Sequence, residues 1–417
     1  MSSATPFHAP DVRLLFVTRA VRLFAYGFLA LILWLYLAAL GLTVERIGLL
    51  TSMTLLGDVA VSLWITTTAD RVGRKRMLIV GAVLMALAGA VFLSTDDFYL
   101  LLAAATIGVI SPSGNEVGPF LAIEQAALAQ VVTTEQRTRV FAWYNLTGSL
   151  ATAFGALLCG LLVQFLQTDG FTALQSYHIV LWYYAGTGVL LALLFTRLSP
   201  TSEVLAVSQS EAEQPRPAAF LGLHHSRGVV LRLSALFALD AFAGGFVLQT
   251  IMAYWFQERF HADPATLGGI FWGANFLAGF SALAAASIAK RVGLLNTMIF
   301  THAPSNLLLI LVPFMPTLPL AVGVLLLRFA ISQMDVPARQ SYTAAVVRPD
   351  ERSAAAGVTG VARTAGAALS PFLVGLLFTN PMLAGAPFVV SGALKLVYDG
   401  LLYWRFRASA PSENQTP

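Results

Sequence analysis

Long apolar runs separated by short polar breaks extend over nearly the whole chain. Each run is close to the roughly 20 residues that an α-helix needs to cross the hydrocarbon core of a bilayer. The runs predict helices at approximately 22–42, 47–69, 77–95, 98–128, 139–167, 177–196, 229–256, 266–289, 295–316, 317–343, 353–378 and 385–405. The division at 316 rests on Pro313, Pro316 and Pro319, which favour a short turn. The pattern predicts an all-α membrane protein with twelve transmembrane helices.

A polar stretch at 197–228 separates the first six runs from the last six. Its least apolar part, SPTSEVLAVSQSEAEQPRP, cannot bury enough apolar surface to fold and is typical of a flexible linker. We therefore expect an N-terminal six-helix bundle at 1–196, a cytoplasmic linker at 197–228 and a C-terminal six-helix bundle at 229–417.

The two halves repeat each other in sequence. The stretch 68–73, TADRVG, corresponds to 288–293, IAKRVG, and 129–137, AQVVTTEQR, corresponds to 344–352, AAVVRPDER. The corresponding stretches occur in the same order in both halves. Parallel duplication of a six-helix unit predicts two pseudo-symmetric bundles, an arrangement typical of transporters that work by alternating access.

Composition supports a lipid-embedded chain, since 57% of the residues are hydrophobic and only 11% are charged, against about 25% charged in soluble proteins. The basic residues lie almost entirely on one set of loops, with only Arg46 and Arg259 on the other. The positive-inside rule then places both termini in the cytoplasm, and we expect a bacterial-type inner membrane. The isoelectric point of 9.3 does not indicate nucleic-acid binding, because no basic tract with interleaved aromatics occurs.

Motifs for enzymatic chemistry are missing from the sequence. It contains no Walker loop, G-x-G-x-x-G loop, HExxH pair or nucleophile elbow, and its single cysteine, Cys159, excludes a disulfide framework or a thiolate metal cluster. We expect no enzyme activity, no cofactor and no metal. The expected partners are a small-molecule substrate, protons and membrane lipids, and the expected state is a monomer.

Three acidic residues stand out inside predicted helices. Asp58, Glu116 and Asp240 have no basic residue at helical spacing in their own segments. A charged group inside a membrane is costly and commonly functional, and a carboxyl group in a low-dielectric cavity can hold a proton near pH 7. We interpret them as proton-coupling or substrate groups. The alternative is that Arg328 or Arg363, from another helix, neutralises them.

Five further charged residues have a structural interpretation. Lys395 and Asp399 are four residues apart on one predicted helix, as are Asp335 and Arg339. Each pair can therefore neutralise itself along its own helix. Glu124 lies near the predicted cytoplasmic end of its helix, where it is expected to reach water.

The stretch 111–120, SPSGNEVGPF, places Asn115 and Glu116 between prolines and glycines inside a predicted helix. Broken helices are tolerated in membranes where the backbone lines a cavity. We expect a broken helix that presents an amide and a carboxyl group, with a merely kinked helix as the alternative. Gly244 and Gly245 predict a second weak point beside Asp240.

The charged turn between the second and third predicted helices carries a family resemblance. Its sequence DRVGRKR at 70–76 resembles the loop 2–3 signature of the major facilitator superfamily, usually written G-x-L-A-D-R-x-G-R-K, with Thr66 and Thr68 departing from it. The resemblance covers nearly the whole chain and implies that family's fold. It also implies a latch that stabilises the outward-facing state. The latch residues would be Asp70, Arg71, Gly73, Arg74 and Lys75.

Within that latch, the resemblance places Asp70 near the N-terminus of the eleventh helix, whose dipole favours an anion. Arg71 and Arg74 would pair with acids on the cytoplasmic surface. The alternative is a solvated topology signal. Arg363 could serve either this latch or the cavity.

Together these features predict a secondary transporter that works by alternating access, most simply proton-coupled efflux of a small organic molecule. The candidate cavity residues are Asp58, Asn115, Glu116, Asp240, Arg328 and Arg363. One alternative is uptake or facilitated diffusion of a small polar or anionic solute, bound by Arg328 and Arg363. A non-transporting sensor or a lipid-handling protein is a further alternative.

Overall fold

The computed structural model describes residues 10–115, 120–132, 134–199, 223–348 and 351–407. Its α-helices are α1 (Pro10–Ala39), α2 (Val44–Val72), α3 (Arg74–Ser94), α4 (Phe98–Ile107), α5 (Phe120–Val131), α6 (Thr134–Thr168), α7 (Ala173–Phe195), α8 (Arg227–Gly245), α9 (Gln249–Phe260), α10 (Pro264–Val292), α11 (Leu294–Leu311), α12 (Leu318–Ser332), α13 (Asp335–Ala345), α14 (Arg352–Ala368), α15 (Ser370–Phe378) and α16 (Ala386–Phe406).

Eleven spans in the described residues are long and apolar enough to cross a membrane, and α4 is a shorter apolar helix. Many of their large apolar side chains are exposed, among them Trp64, Trp182 and Trp404. Such an apolar exterior is expected where lipid rather than water surrounds the helices. The predicted all-α membrane fold is confirmed.

Four runs that were predicted as single helices are pairs of helices. These pairs are α4 and α5, α8 and α9, α12 and α13, and α14 and α15. Pro337 and Pro371 each lie in the first turn of the second helix of a pair, where proline removes no helical hydrogen bond. The weak point predicted at Gly244 and Gly245 is confirmed, because α8 ends at Gly245.

The stretch after α4 is broken rather than kinked. Residues 108–115 are not helical, and Gly114 has a positive φ of 70°. The Ser111 hydroxyl donates to the backbone carbonyl of Asn115 at 2.7 Å. Residue 119, whose N–H would bond this carbonyl in a continuous helix, is a proline without an N–H, so the Ser111 side chain supplies the donor that the helix could not. Glu116 lies outside the described residues.

By their internal contacts, the helices group into two compact units. The first unit contains α1–α7, α9 and α10 up to Phe276, and the second contains α8, the rest of α10 and α11–α16. The sequence pattern had assigned α9 and all of α10 to the segment 229–417. The division at 196 and 229 stays a prediction.

The duplication appears in how the helices pack. In the first unit α1 packs against α6 and α3 against α7, and in the second unit α8 packs against α14 and α11 against α16. The two repeated turns also share a backbone geometry. Single glycines, Gly73 at φ 114° and Gly293 at φ 83°, join α2 to α3 and α10 to α11. Side chains other than glycine rarely adopt such angles, which accounts for glycine in both copies of the motif.

Candidate functional site

A close approach of α8 and α14 creates the centre of the site. A Cβ atom on Gly366 of α14 would collide with the backbone carbonyl of Ala238 on α8, so glycine lets the two backbones touch there. Asp240 lies two residues beyond Ala238, and Arg363 lies one turn before Gly366. As a result, Nη1 of Arg363 is 3.2 Å from Oδ2 of Asp240.

A second close approach brings α16 against α11. A Cβ atom on Gly392 would lie 2.8 Å from the carbonyl oxygen of Asn306. Two turns further along α16, Asp399 Oδ1 is 2.8 Å from His302 Nδ1, and Asn306 Nδ2 donates to Asp399 Oδ2 at 3.0 Å. Glycine on one helix thus positions a buried Asp–His–Asn arrangement between two helices.

Asp240 connects its partner Arg363 on α14 with the Asp–His–Asn arrangement between α11 and α16. Lys395 Nζ lies 2.6 Å from Asp240 Oδ1, and His302 Nε2 lies 3.7 Å from the same oxygen. The other oxygen, Oδ2, accepts from Arg339 and from Arg363, each at 3.2 Å. Asp240 is only 3% exposed, so its negative charge is held by surrounding cations rather than by water.

We call this set the charged cluster. Its members are Asp240 on α8, His302 and Asn306 on α11, Arg328 on α12, Asp335 and Arg339 on α13, Arg363 on α14, and Lys395 and Asp399 on α16. All of them belong to the second unit.

The structure corrects one prediction about these charges and supports the alternative interpretation of another. Lys395 and Asp399 do not neutralise each other, because Lys395 binds Asp240 and Asp399 binds His302. Asp240 is neutralised from other helices, as the alternative interpretation held. In both cases the partner lies on a neighbouring helix and is invisible to spacing within one segment.

The predicted pair on α13 is confirmed. Arg339 Nη1 lies 3.0 Å from Asp335 Oδ2, four residues earlier on the same helix. Because this guanidinium also contacts Asp240, the pair extends the charged cluster instead of standing alone.

Arg328 is the exception within the charged cluster. It is only 8% exposed, yet the described residues offer it no hydrogen bond or ion pair, and its Nε atom is buried and unsatisfied. Its guanidinium carbon lies 4.8 Å from the ring centroid of Phe329. Asp240 and Asp335 are close enough to act on it electrostatically.

Three further residues were predicted to line the cavity. Asp58 and Asn115 belong to the first unit, and Glu116 lies outside the described residues. Asp58 is half-buried on α2, and the Ser62 hydroxyl donates to its Oδ1 at 3.3 Å. The other three predicted residues, Asp240, Arg328 and Arg363, all lie in the second unit, where Arg363 contacts Asp240.

The predicted latch is described in part. The side chains of Asp70 and Arg71 lie outside the described set. Gly73 forms the single-residue turn between α2 and α3, and Lys75 Nζ donates to the carbonyl of Leu198 at 3.0 Å. Arg74 is half-buried at the start of α3. The role of these residues as a latch stays a prediction.

The first unit contains a buried ion pair that sequence analysis missed. Arg22 on α1 donates to Glu124 on α5 through two nitrogens, at 2.8 and 2.7 Å, and both side chains are fully buried. The hydroxyls of Tyr144 and Thr18 also donate to Glu124. The prediction that Glu124 reaches water is wrong, because α1 and α6 cover the carboxylate.

The two units carry such pairs with opposite polarity. At the offset of 215 residues that aligns Gln125 with Gln340, Glu124 aligns with Arg339. Glu124 binds a cation on α1, whereas Arg339 binds the anion Asp240 on α8, the corresponding helix of the second unit. Each unit therefore has a buried ion pair at this position, and the signs of the aligned residues are opposite.

The carboxylate of Glu351 binds the backbone that leads into α8. Glu351, immediately before α14, accepts hydrogen bonds from the backbone N–H groups of His224, His225 and Ser226. Burial by itself raises the pKa of Glu351, but hydrogen bonds from the Ser226 hydroxyl and these three amides outweigh it and lower the pKa to about 2. Glu351 is therefore ionised at neutral pH and lies outside the membrane-spanning segments.

The described residues were compared with the ligand groups that a metal ion needs. Within the described part of the chain, no group of three His, Cys, Asp or Glu side chains is placed to hold a metal ion. The expectation of no metal and no cofactor stays a prediction.

Membrane-crossing helices, duplicated packing and a buried charged cluster together define a polytopic membrane protein with the architecture typical of transporters. Residues 15–371 match the sequence profile of the Major Facilitator Superfamily, and the chain belongs to that family. The resemblance in the charged turn is thereby confirmed at the family level.

Individual relatives agree with this assignment. The uncharacterized membrane protein YJR124C of Saccharomyces cerevisiae is 31% identical over 421 residues, which cover 95% of this chain and 94% of the yeast protein. A bacterial homolog of the human lysosomal transporter Spinster, inward-facing and unoccupied, has a TM-score of 0.75 at 14% identity and covers 99% of this chain and 100% of its own. A D-xylose-proton symporter has a TM-score of 0.74 at 14% identity, with 95% and 97% covered. At such identities the solved structures support the fold alone.

Proposed function

We propose that this protein is a proton-coupled secondary transporter that exports a small organic molecule by alternating access. The observation that carries the coupling is the position of the buried His302 between two carboxylates, Asp399 at 2.8 Å and Asp240 at 3.7 Å. Histidine changes its charge near physiological pH, and ionisable groups within a membrane commonly mark proton pathways.

Under this proposal, each ring nitrogen of His302 has its own role. We place the hydrogen of the neutral ring on Nδ1, because the Asp399 carboxylate 2.8 Å away can only accept, and Asn306 Nδ2, which lies 3.1 Å from the same nitrogen, then donates to Asp399 Oδ2 instead of to the ring. The transported proton then binds at Nε2, which faces Asp240. A cationic ring at that position competes with the Lys395 ammonium for the same oxygen of Asp240.

Protonation of His302 would therefore change the contact between α8 and α16. Lys395 on α16 and Asp240 on α8 form a 2.6 Å contact between two helices. A second positive charge beside that contact weakens it through like-charge repulsion, and loss of the proton restores it. The other charged or titratable groups described around the His302–Asp240 pair are Arg328 on α12, Arg339 on α13, Arg363 on α14, and Tyr398 and Asp399 on α16.

The wider proposal includes the remaining predicted elements. Asp58, Asn115 and Glu116 would contribute from the first unit, and the turn around Gly73 and Arg74 would act as the latch. The D-xylose-proton symporter is a proton-coupled protein of the same fold by its name, which supports coupling by analogy only. Export, a monomeric state, a bacterial-type inner membrane and cytoplasmic termini rest on the sequence predictions.

Proton coupling is testable in reconstituted vesicles that contain a pH-sensitive dye. We expect a panel of small organic solutes to include at least one that moves protons across wild-type vesicles and accumulates when a pH gradient is imposed. His302→Asn should lose this solute-dependent proton movement while it still binds the solute. His178→Asn is the matched control, because His178 lies on α7 in the first unit beside Tyr36.

Facilitated diffusion of a polar or anionic solute is the second candidate, favoured by the buried Arg328 that lacks an ion pair within the described residues. It predicts solute flux that is unchanged when the pH gradient is collapsed. If His302→Asn moves protons with solute as the wild type does, the assignment of this histidine is wrong. Flux that ignores the gradient in every variant contradicts coupling altogether.

A further inference from the structure

Arg328 differs from every other cation of the charged cluster. Arg339, Arg363 and Lys395 each contact a carboxylate oxygen at 3.2 Å or less. Arg328 is more than nine-tenths buried, and it has neither an ion pair nor a hydrogen bond in the described parts of the chain. Buried charges in proteins are normally paired, so an unpaired guanidinium at this position indicates that its partner is a ligand.

The charge balance of the charged cluster also indicates a negatively charged ligand. Its cations are Arg328, Arg339, Arg363 and Lys395, and its carboxylates are Asp240, Asp335 and Asp399. With His302 neutral, the cluster carries one surplus positive charge. A ligand with a single negative charge balances it, whereas a dianion leaves a surplus negative charge in a buried site.

Arg363 offers a second contact for the same ligand. Its side chain is 34% exposed, and the ion pair to Asp240 uses only Nη1. A guanidinium has five N–H donors in a planar fork that fits a carboxylate, so donors remain. Arg363 contacts Asp240, and Arg339 links Asp240 to Asp335 at the start of α13, the helix that follows Arg328 and α12 in the chain.

We propose that Arg328 and Arg363 form a binding subsite for the carboxylate of a small monoanionic solute. This inference rests on the proposed transport function and specifies its substrate class. Arg328 supplies the buried charge that the ligand neutralises, and Arg363 supplies the contact nearer to solvent.

The test is equilibrium binding to the full-length protein purified in detergent, with no pH gradient. The probes are acetate, butyrate and benzoate, each compared with its neutral amide, and inorganic phosphate is added as a multiply charged anion. Binding is followed by the shift in thermal unfolding and by calorimetry. At least one monocarboxylate should stabilise the wild type more than its amide and more than phosphate do.

Arg328→Gln should weaken binding of that carboxylate by at least about tenfold, since hydrogen bonds to charged groups are the strong ones. The same variant should unfold at an equal or higher temperature than the wild type without ligand, because it removes an unpaired buried charge. A purely structural arginine would instead destabilise the empty protein when replaced. Arg363→Gln provides a second variant, and Arg259→Gln, an exposed arginine on α9, is the matched control.

The proposal is overturned if no carboxylate outperforms its amide in the wild type, or if Arg328→Gln and Arg363→Gln both bind the probe as the wild type does. Neither result affects the test of proton coupling, which follows His302 in vesicles. Conversely, carboxylate binding that depends on Arg328, together with gradient-independent flux, would support this subsite and contradict proton coupling.

Discussion

The ion pair between Arg22 and Glu124 allows a sharp prediction about stability. The perturbation is Glu124→Gln, which keeps the size of the side chain and removes its charge. Both partners are fully buried, and two nitrogens of Arg22 donate to the carboxylate at 2.8 and 2.7 Å. The substitution therefore leaves a buried guanidinium opposite a neutral amide.

The expected magnitude follows from that burial. Removing one partner of a buried ion pair costs about 3–5 kcal/mol, because the remaining charge is left uncompensated. Replacing both partners removes that penalty, and in other proteins it is often neutral or stabilising. Glu124→Gln should thus lower the free energy of unfolding by about 3–5 kcal/mol. The triple variant Arg22→Met/Glu124→Leu/Tyr144→Phe should recover most of the loss, because it also removes the buried Tyr144 hydroxyl that donates to Glu124.

The assay is denaturant-induced unfolding of the purified protein in mixed micelles, followed by tryptophan fluorescence. Glu258→Gln on α9 is the control for loss of an acidic residue, because Glu258 is exposed, and we expect a change within about 0.5 kcal/mol. A Glu124→Gln protein within about 1 kcal/mol of the wild type would refute the reasoning. So would a triple variant less stable than the single one, since the loss would then come from packing rather than from an unpaired charge.

Two further predictions concern the second unit. The pKa of Glu351 is lowered from 4.5 to about 2, so its stabilising contribution is complete above about pH 4.5 and is lost as the pH falls through about 2. Glu351→Gln should flatten the pH dependence of the unfolding temperature over that range, and an unchanged acid slope would contradict this. Gly366→Ala should destabilise by about 1–3 kcal/mol and weaken solute binding, because the new Cβ collides with Ala238 and displaces α14 from α8. Gly360→Ala, where a Cβ meets nothing within 4 Å, should unfold like the wild type, and equal unfolding temperatures for the two alanine variants would show that the close approach is not needed.

Much of the candidate site was visible in sequence as a set of anomalies. Asp240, Arg328 and Arg363 stand out because charges are costly in a membrane helix. His302 was missed, although a histidine four residues before Asn306 in an apolar run was a usable signal. Glu124 was misread because its distance from the end of the predicted helix says nothing about which helices cover it.

The sequence by itself determined the lipid-embedded class, the helical fold, the duplication and the glycine turns at 73 and 293. Hydropathy and helix length depend only on neighbours along the chain, because the bilayer acts on each segment separately. The tertiary structure decided which charges pair. Lys395 and Asp240 are 155 residues apart and Arg22 and Glu124 are 102 residues apart, and only the packing of helices brings each pair into contact. A charged side chain in a low-dielectric interior is governed by its nearest opposite charge in space, and no spacing along a single segment specifies that partner.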